Sequence, residues 1–172
     1  MLRKLIVVAA VGFLIPAIAQ AHFKQGDWDL TLQGGGNHGP DFDGVSAGAG
    51  VGLGYLLTDN LEAGIRQSVN FSDFGPGSSL DGSTALFADF HFPMGDRGQW
   101  QPFIGANAGF NWGRGSNDSF EFGPEAGVKY FLNETTYIGL SVAYEMFCKN
   151  SSGGSTLSDG EFLYSLMLGV RL

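Results

Sequence analysis

Charged side chains recur at alternate positions in several segments of this 172-residue chain. The residues between them are apolar or aromatic, and successive side chains of a β-strand point to opposite faces. The charged side chains would therefore share one face of a sheet. They are Asp27, Asp29, Glu62, Arg66, Asp89, His91, Glu121, Glu125, Lys129, Glu145, Glu161 and Arg171. Eight acids against three bases predict a network of ion pairs with excess negative charge.

Eight segments with this alternation would position the charged residues. They cover residues 27–33, 45–57, 61–71, 83–92, 100–112, 120–132, 137–147 and 161–172. Stretches rich in Gly, Ser, Asp and Asn predict long loops over 34–44, 72–82 and 149–159, and short turns at 58–60, 93–98 and 133–135. Pro124 cannot donate to a strand ladder, so we expect a bulge or fraying near it.

The last segment, 161–172, has one face without any polar group. That face consists of Phe162, Tyr164, Leu166, Leu168, Val170 and Leu172. A soluble edge strand of this kind would aggregate, whereas a tilted membrane strand needs about 9–11 such residues. None of the eight apolar faces carries a charge. The sequence therefore predicts an all-β fold, an eight-stranded antiparallel transmembrane β-barrel with an up-and-down meander.

The segment 101–110, Gln-Pro-Phe-Ile-Gly-Ala-Asn-Ala-Gly-Phe, and the apolar alternation at the C-terminus resemble the small eight-stranded bacterial outer-membrane β-barrel family of the OmpA/OmpX type. The resemblance covers residues 22–172. It implies a location in the cell outer membrane, contact with outer-membrane lipid and lipopolysaccharide, and folding by the outer-membrane assembly machinery. The closing strand of that family commonly ends in an aromatic residue, and Leu172 departs from this.

The first residues have the three parts of a secretory signal. Arg3 and Lys4 precede the apolar run 5–18, and Ala19-Gln20-Ala21 is a cleavage motif. We therefore predict a cleaved signal peptide over 1–21 and a barrel over 22–172.

The net charge of −8 argues against a nucleic-acid partner. Cys148 is the one cysteine of the sequence, which excludes an intramolecular disulfide.

Aromatic residues concentrate near both ends of the predicted strands, as in the interfacial girdles of membrane barrels. The predicted lipid-facing girdles are Trp28, Tyr55, Phe92, Trp100 and Tyr130 at the turns, and Phe71, Trp112, Phe120, Tyr144 and Phe162 at the loops.

Three side-chain relationships follow from an assumed strand register. If strands three and four pair about the middle of 72–82, Arg66 lies opposite Asp89 and forms an ion pair with it. Arg171 of the closing strand would lie beside Asp27 and Asp29. Glu125 and Glu145 would come close to each other, which raises a carboxyl pKa or recruits a cation.

The function favoured by this pattern is a non-enzymatic structural or surface-interaction role, with the lumen filled by its own side chains. The alternative is a narrow cation-preferring channel or transporter for ions or small solutes. A lipopolysaccharide-modifying enzyme is a third option, but the chain lacks the His-x-Ser pair of the lipid A deacylase barrels. His38, Asp41 and Asp43 share one loop, yet such residues are also ordinary turn formers. We predict no catalytic residue, metal site or cofactor, and the sequence does not identify a surface partner.

Overall fold

A computed structural model describes residues 22–38, 45–73, 78–113, 119–151 and 154–172. The described residues form one closed antiparallel barrel in which every strand pairs with its sequence neighbours. The strands are β1 (Trp28–His38), β2 (Val45–Leu56), β3 (Leu61–Asp73), β4 (Ser78–His91), β5 (Trp100–Gly113), β6 (Ser119–Phe131), β7 (Thr136–Ser151) and β8 (Gly154–Arg171). The predicted fold class is confirmed. In the described part of the chain, no helix is long and apolar enough to cross a membrane.

The barrel closes where β8 pairs with β1. This seam runs from Asp29, opposite Arg171, to His38, opposite Phe162. An even number of strands lets the last strand lie antiparallel to the first. Residues 57–60, 92–99 and 132–135 connect strands at one end of the barrel, which we call the turn side, and the opposite end is the loop side.

The side chains are distributed in the opposite way to those of a water-soluble protein. Large apolar side chains point outward, and Leu86, Ile104 and Leu140 are each more than half exposed. Ionisable side chains such as Glu62 and Lys129 lie buried inside the barrel. Because a bilayer solvates apolar groups and penalises charged ones, this arrangement is the one that a membrane-spanning barrel requires.

Several strands are longer at the loop side than the sequence predicted. β1 continues to His38, β4 begins at Ser78 and β8 begins at Gly154. The predicted loops 34–44, 72–82 and 149–159 were therefore too long. Outside an apolar layer, strands keep their backbone pairing but lose the apolar alternation that marked them in the sequence. Residues 39–44, 74–77 and 152–153 of the predicted loops lie outside the described residues, as do residues 114–118 and the predicted signal peptide.

Glycines on the inner face leave room for acidic side chains. A Cβ at Gly54 would collide with the carboxylate of Glu62, and a Cβ at Gly105 would collide with that of Asp89. Glycine is therefore required at these two positions, because any side chain would occupy the space of a buried carboxylate on the neighbouring strand.

Pro124 interrupts the ladder between β6 and β7, as its missing N–H predicts. The pairs pass from Phe122 opposite Met146 to Glu125 opposite Ala143 without a change of register. On the other edge of β7, the register shifts between Glu145 and Phe147. The backbone of β7 is thus irregular near Glu145 on both of its edges.

Candidate functional site

The lumen contains a buried cluster centred on Lys129 of β6. Its Nζ donates hydrogen bonds to Asp29 Oδ2 and Glu62 Oε2, each at 2.8 Å. The three side chains are at most 4% exposed. Since Asp29 lies on β1 and Glu62 on β3, one ammonium joins three separate parts of the barrel wall. Removal of one partner would leave an uncompensated buried charge. The stability lost in this way is larger than the net stabilisation that the intact pair provides.

Two further contacts extend the cluster across the lumen. His91 Nε2 lies 2.9 Å from Glu62 Oε2. The Tyr137 hydroxyl donates to Asp29 Oδ2 at 2.6 Å and lies 2.7 Å from Thr31 Oγ1. Hydrogen bonds therefore run without a break from Thr31 to His91. The inward position of Tyr137 follows from strand parity, but its hydroxyl was not recognised in the sequence as a member of the network.

Phe23 closes the turn-side end of the lumen. It is fully buried, with its ring centroid 5.0 Å from that of His91, 5.2 Å from Phe131 and 5.9 Å from Tyr137. The Lys129 Nζ lies 4.7 Å from the centre of the Phe23 ring. Sequence reasoning missed Phe23 because it precedes the first alternating segment. The available signal was an isolated aromatic residue directly after the predicted mature terminus.

Backbone contacts hold the segment 22–27 in place. Gln25 N donates to Asp59 Oδ1 at 2.8 Å, and Gly26 N donates to Leu56 O at 2.9 Å. Both partners belong to the end of β2 and the turn after it. Phe23 is therefore the side chain of an anchored segment, and it fills the mouth as part of the fold.

Arg171 joins this segment to the closing strand. Its Nε lies 3.5 Å from Asp27 Oδ2, and its guanidinium donates to the His22 carbonyl. Arg171 is also the residue opposite Asp29 in the seam. The prediction that Arg171 lies beside Asp27 and Asp29 is confirmed. The pKa of His22 is lowered, mainly by its partial burial and to a smaller extent by the positive charges of Lys24 and Arg171.

A second ion pair crosses the middle of the lumen. Arg66 of β3 donates from Nη1 to Glu125 Oε2 at 3.0 Å and from Nη2 to Oε1 at 3.4 Å. The guanidinium also lies 4.5 Å from the centre of the Phe87 ring. Two parallel hydrogen bonds and an aromatic contact fix the Arg66 side chain in one orientation.

The predicted opposition of Arg66 and Asp89 is wrong. The ladder places Arg66 opposite Ala85 and Asp89 opposite Glu62. The β3–β4 hairpin pairs up to Asp73 and Ser78, so its centre lies nearer to β3 than the assumed middle of 72–82. This displacement keeps every residue on its face while changing each partner. Arg66 therefore reaches across the lumen to Glu125.

Acidic side chains collect in the loop-side half of the lumen. Glu121 accepts a hydrogen bond of 2.6 Å from Asn111 Nδ2 and lies within hydrogen-bonding reach of Glu145. Glu125 lies near enough to Glu145 for a charge–charge interaction, as predicted. The carboxyl group in direct contact with Glu145, however, is that of Glu121.

The space left inside the charged part of the lumen is small. The cavity between Glu62, Arg66, Asp89 and Lys129 measures about 10 Å³. This volume has room for about one water molecule. At this cavity, the charged side chains of β3, β4 and β6 therefore leave space for little more than one water molecule.

The described aromatic residues of the predicted girdles lie on the outer surface. Trp28, Phe92, Trp100, Trp112 and Phe120 are each more than 40% exposed. Neighbouring strands pair them in Trp28–Tyr55, Trp100–Tyr130 and Tyr144–Phe162, at centroid distances of 5.0, 4.6 and 4.9 Å. Phe71 lies on β3, and its side chain is outside the described part. That these rings contact lipid stays a prediction.

The remaining chemical candidates are dispersed. His38 ends β1, whereas Asp41 and Asp43 lie outside the described residues. Among the residues that the structure describes, no group of three or more His, Cys, Asp or Glu could hold a metal ion. Cys148 is a partly exposed free thiol opposite Phe120. His91 is bonded to Glu62 and packs against Phe23 and Phe103, inside the barrel.

A closed eight-stranded meander with an apolar exterior and a charged interior is the fold of the small outer-membrane β-barrels. Solved structures of this class match the chain along most of its length. OprG from Pseudomonas aeruginosa aligns over 89% of this chain and 99% of its own, with 15% identity and a TM-score of 0.63. Neisserial surface protein A aligns over 86% and 97%, with 16% identity and a TM-score of 0.63.

The outer-membrane enzyme PagL has the same fold. It aligns over 84% of this chain and 99% of its own, with 19% identity and a TM-score of 0.53. No family model and no curated protein matches the chain. The similarities thus identify the fold, and the fold accommodates both an enzyme and a surface protein. The role of this chain must be argued from its own residues.

Proposed function

We propose that the protein is a bacterial outer-membrane β-barrel with a structural or surface-interaction role, and that it is neither an open channel nor an enzyme. The observation that supports this proposal is the buried charge cluster in the turn-side half of the lumen. There Lys129 is hydrogen-bonded to Asp29 and Glu62, and the Phe23 ring packs against it on the turn side.

An ion crossing this region would have to displace bonded side chains. Lys129, Asp29 and Glu62 are at most 4% exposed, and the adjoining cavity measures about 10 Å³. A hydrated ion does not fit in a space of one water molecule. Separation of a buried ion pair costs about 3–5 kcal/mol, because each charge loses its partner in a poorly hydrated place. This barrier argues for a lumen that supports the wall and does not conduct.

Single-channel recording tests the closed lumen. The protein inserted into planar bilayers should give no conductance steps above the bilayer background. A difference in migration between boiled and unboiled gels verifies separately that the protein is folded in lipid vesicles, and fusion of these vesicles with the planar bilayer then delivers folded protein to it. Regular steps that scale with salt concentration would contradict the proposal and favour the cation-preferring channel.

The apolar exterior supports a location in the outer membrane, in contact with its lipid and lipopolysaccharide and inserted by its assembly machinery. Large side chains such as Leu86, Ile104 and Leu140 would be exposed to water if the protein were in an aqueous compartment. The protein should fractionate with outer membranes and migrate differently on boiled and unboiled gels. Recovery as a soluble periplasmic monomer would contradict this location.

The non-enzymatic part of the proposal is supported by the position of His91. The Glu62–His91 pair lies inside the barrel, with His91 packed against Phe23, whereas the ester bonds of lipopolysaccharide would lie at the outer surface. Incubation with purified lipopolysaccharide, followed by mass spectrometry of lipid A, should reveal no change in its acyl chains. Release or transfer of a fatty acid would contradict this part of the proposal.

A further inference from the structure

The loop-side half of the lumen contains two neighbouring carboxyl groups. Glu121 of β6 is opposite Phe147 of β7, so Glu145, two residues away, is its diagonal neighbour in the ladder. The two carboxyl groups lie within hydrogen-bonding reach of each other. Glu161 of β8 is opposite Glu145 in the ladder and adds a third negative charge to the neighbourhood. Two ionised carboxylates repel at this separation unless a positive species lies between them. The pair therefore calls for a proton or a cation.

The nearby base is engaged elsewhere. Arg66 uses both of its terminal nitrogens on Glu125. Its charge acts on Glu145 from a distance, but its hydrogen bonds do not reach that carboxyl group. The charge of the Glu121–Glu145 pair thus has no bonded ammonium or guanidinium partner among the described residues.

A neutral amide lies on the strand next to Glu121. Asn107 of β5 is only 5% exposed, and neither its Oδ1 nor its Nδ2 has a hydrogen-bond partner among the described residues. It is paired with Gly123, which lies between the inward positions of Glu121 and Glu125. Gly123 has no side chain to separate Asn107 from these acids. A buried amide without partners is costly, so we expect a group other than the described residues to complete its hydrogen bonds.

We infer that Glu121, Glu145 and Asn107 form a binding site for a hard divalent cation such as Ca²⁺ in the loop-side half of the lumen. Carboxylate and amide oxygens are the ligands that Ca²⁺ takes, and water completes its irregular coordination shell. No described group of three His, Cys, Asp or Glu could hold a metal ion. The site accordingly relies on two carboxylates and one neutral oxygen. It goes beyond the proposed function, because a bound cation does not require a conducting lumen.

The test uses the protein extracted from membranes in detergent and stripped of metal with a chelator. CaCl₂ should bind with a saturable calorimetric signal and raise the unfolding temperature, relative to NaCl at equal ionic strength. Glu145→Gln keeps the shape of the side chain but removes one charged ligand, so Ca²⁺ should bind about tenfold or more weakly. Asn107→Ala should also weaken binding, without a change in ligand charge.

Asp96→Asn is the matched control, because Asp96 is an exposed acid in the turn between β4 and β5. It should bind Ca²⁺ as the unaltered protein does. The inference is overturned if CaCl₂ acts no differently from NaCl, or if Glu145→Gln and Asp96→Asn retain equal affinity. It is also overturned if only acidification stabilises the protein, since a shared proton then replaces the cation.

Discussion

The Lys129 ammonium lies 4.7 Å from the centre of the Phe23 ring, so the residue that fills the turn-side mouth contacts the residue that organises the lumen. Lys129 also contacts the faces of Tyr137 and Phe103, at 5.1 and 5.8 Å. Three aromatic rings and two carboxylates thus surround one cation. The mouth and the charge cluster are one packed unit, and a change in either should affect the other.

Lys129→Met should destabilise the barrel by about 3–5 kcal/mol, because Asp29 and Glu62 would remain buried without their shared ammonium. Denaturant titration of the protein in lipid vesicles measures this loss. A triple variant that also carries Asp29→Asn and Glu62→Gln should recover part of the stability, since no charge is left alone. An equal loss in both variants would show that Lys129 acts through its volume rather than its charge.

Phe23→Ala should cost about 3–5 kcal/mol, the usual loss for a fully buried phenylalanine. Phe92→Ala is the control, because Phe92 lies at the same end of the barrel but is 43% exposed on the outer surface. The same denaturant titration should give the smaller effect for Phe92→Ala. If the two variants lose equal stability, Phe23 is not packed in the mouth.

The faces of the strands could be predicted from the sequence, whereas the partners within the lumen could not. Alternation alone assigns Asp29, Glu62 and Lys129 to the interior, because the side-chain period of a strand is two. Their contact depends on the register of several hairpins, and each register depends on where its turn is centred. Arg66 illustrates this: its face was predicted correctly, but its partner is Glu125. Phe23 has no periodic context, so no pattern could assign it to the mouth.

Val142→Arg should impair folding by about 2–4 kcal/mol, because Val142 is on the outer surface near the middle of β7. Ser141→Arg, one residue earlier, faces the lumen and should cost less. Folding yield in vesicles, read from unboiled gels, compares the two. Equal effects would contradict the assignment of the outer surface to lipid.

Glu145→Gln should be neutral or stabilising in the absence of divalent cations, since it removes repulsion from Glu121.

Arg66→Ala should destabilise the barrel by about 3–5 kcal/mol, because Glu125 would stay buried without its two hydrogen bonds from the guanidinium. In the double variant Arg66→Met with Glu125→Gln, much of the loss should be recovered, as both charges are gone. Denaturant titration measures the free energy of unfolding of Arg66→Ala, of the double variant and of Glu145→Gln. A double variant no more stable than Arg66→Ala would mean that Arg66 stabilises the lumen mainly through its contact with Phe87.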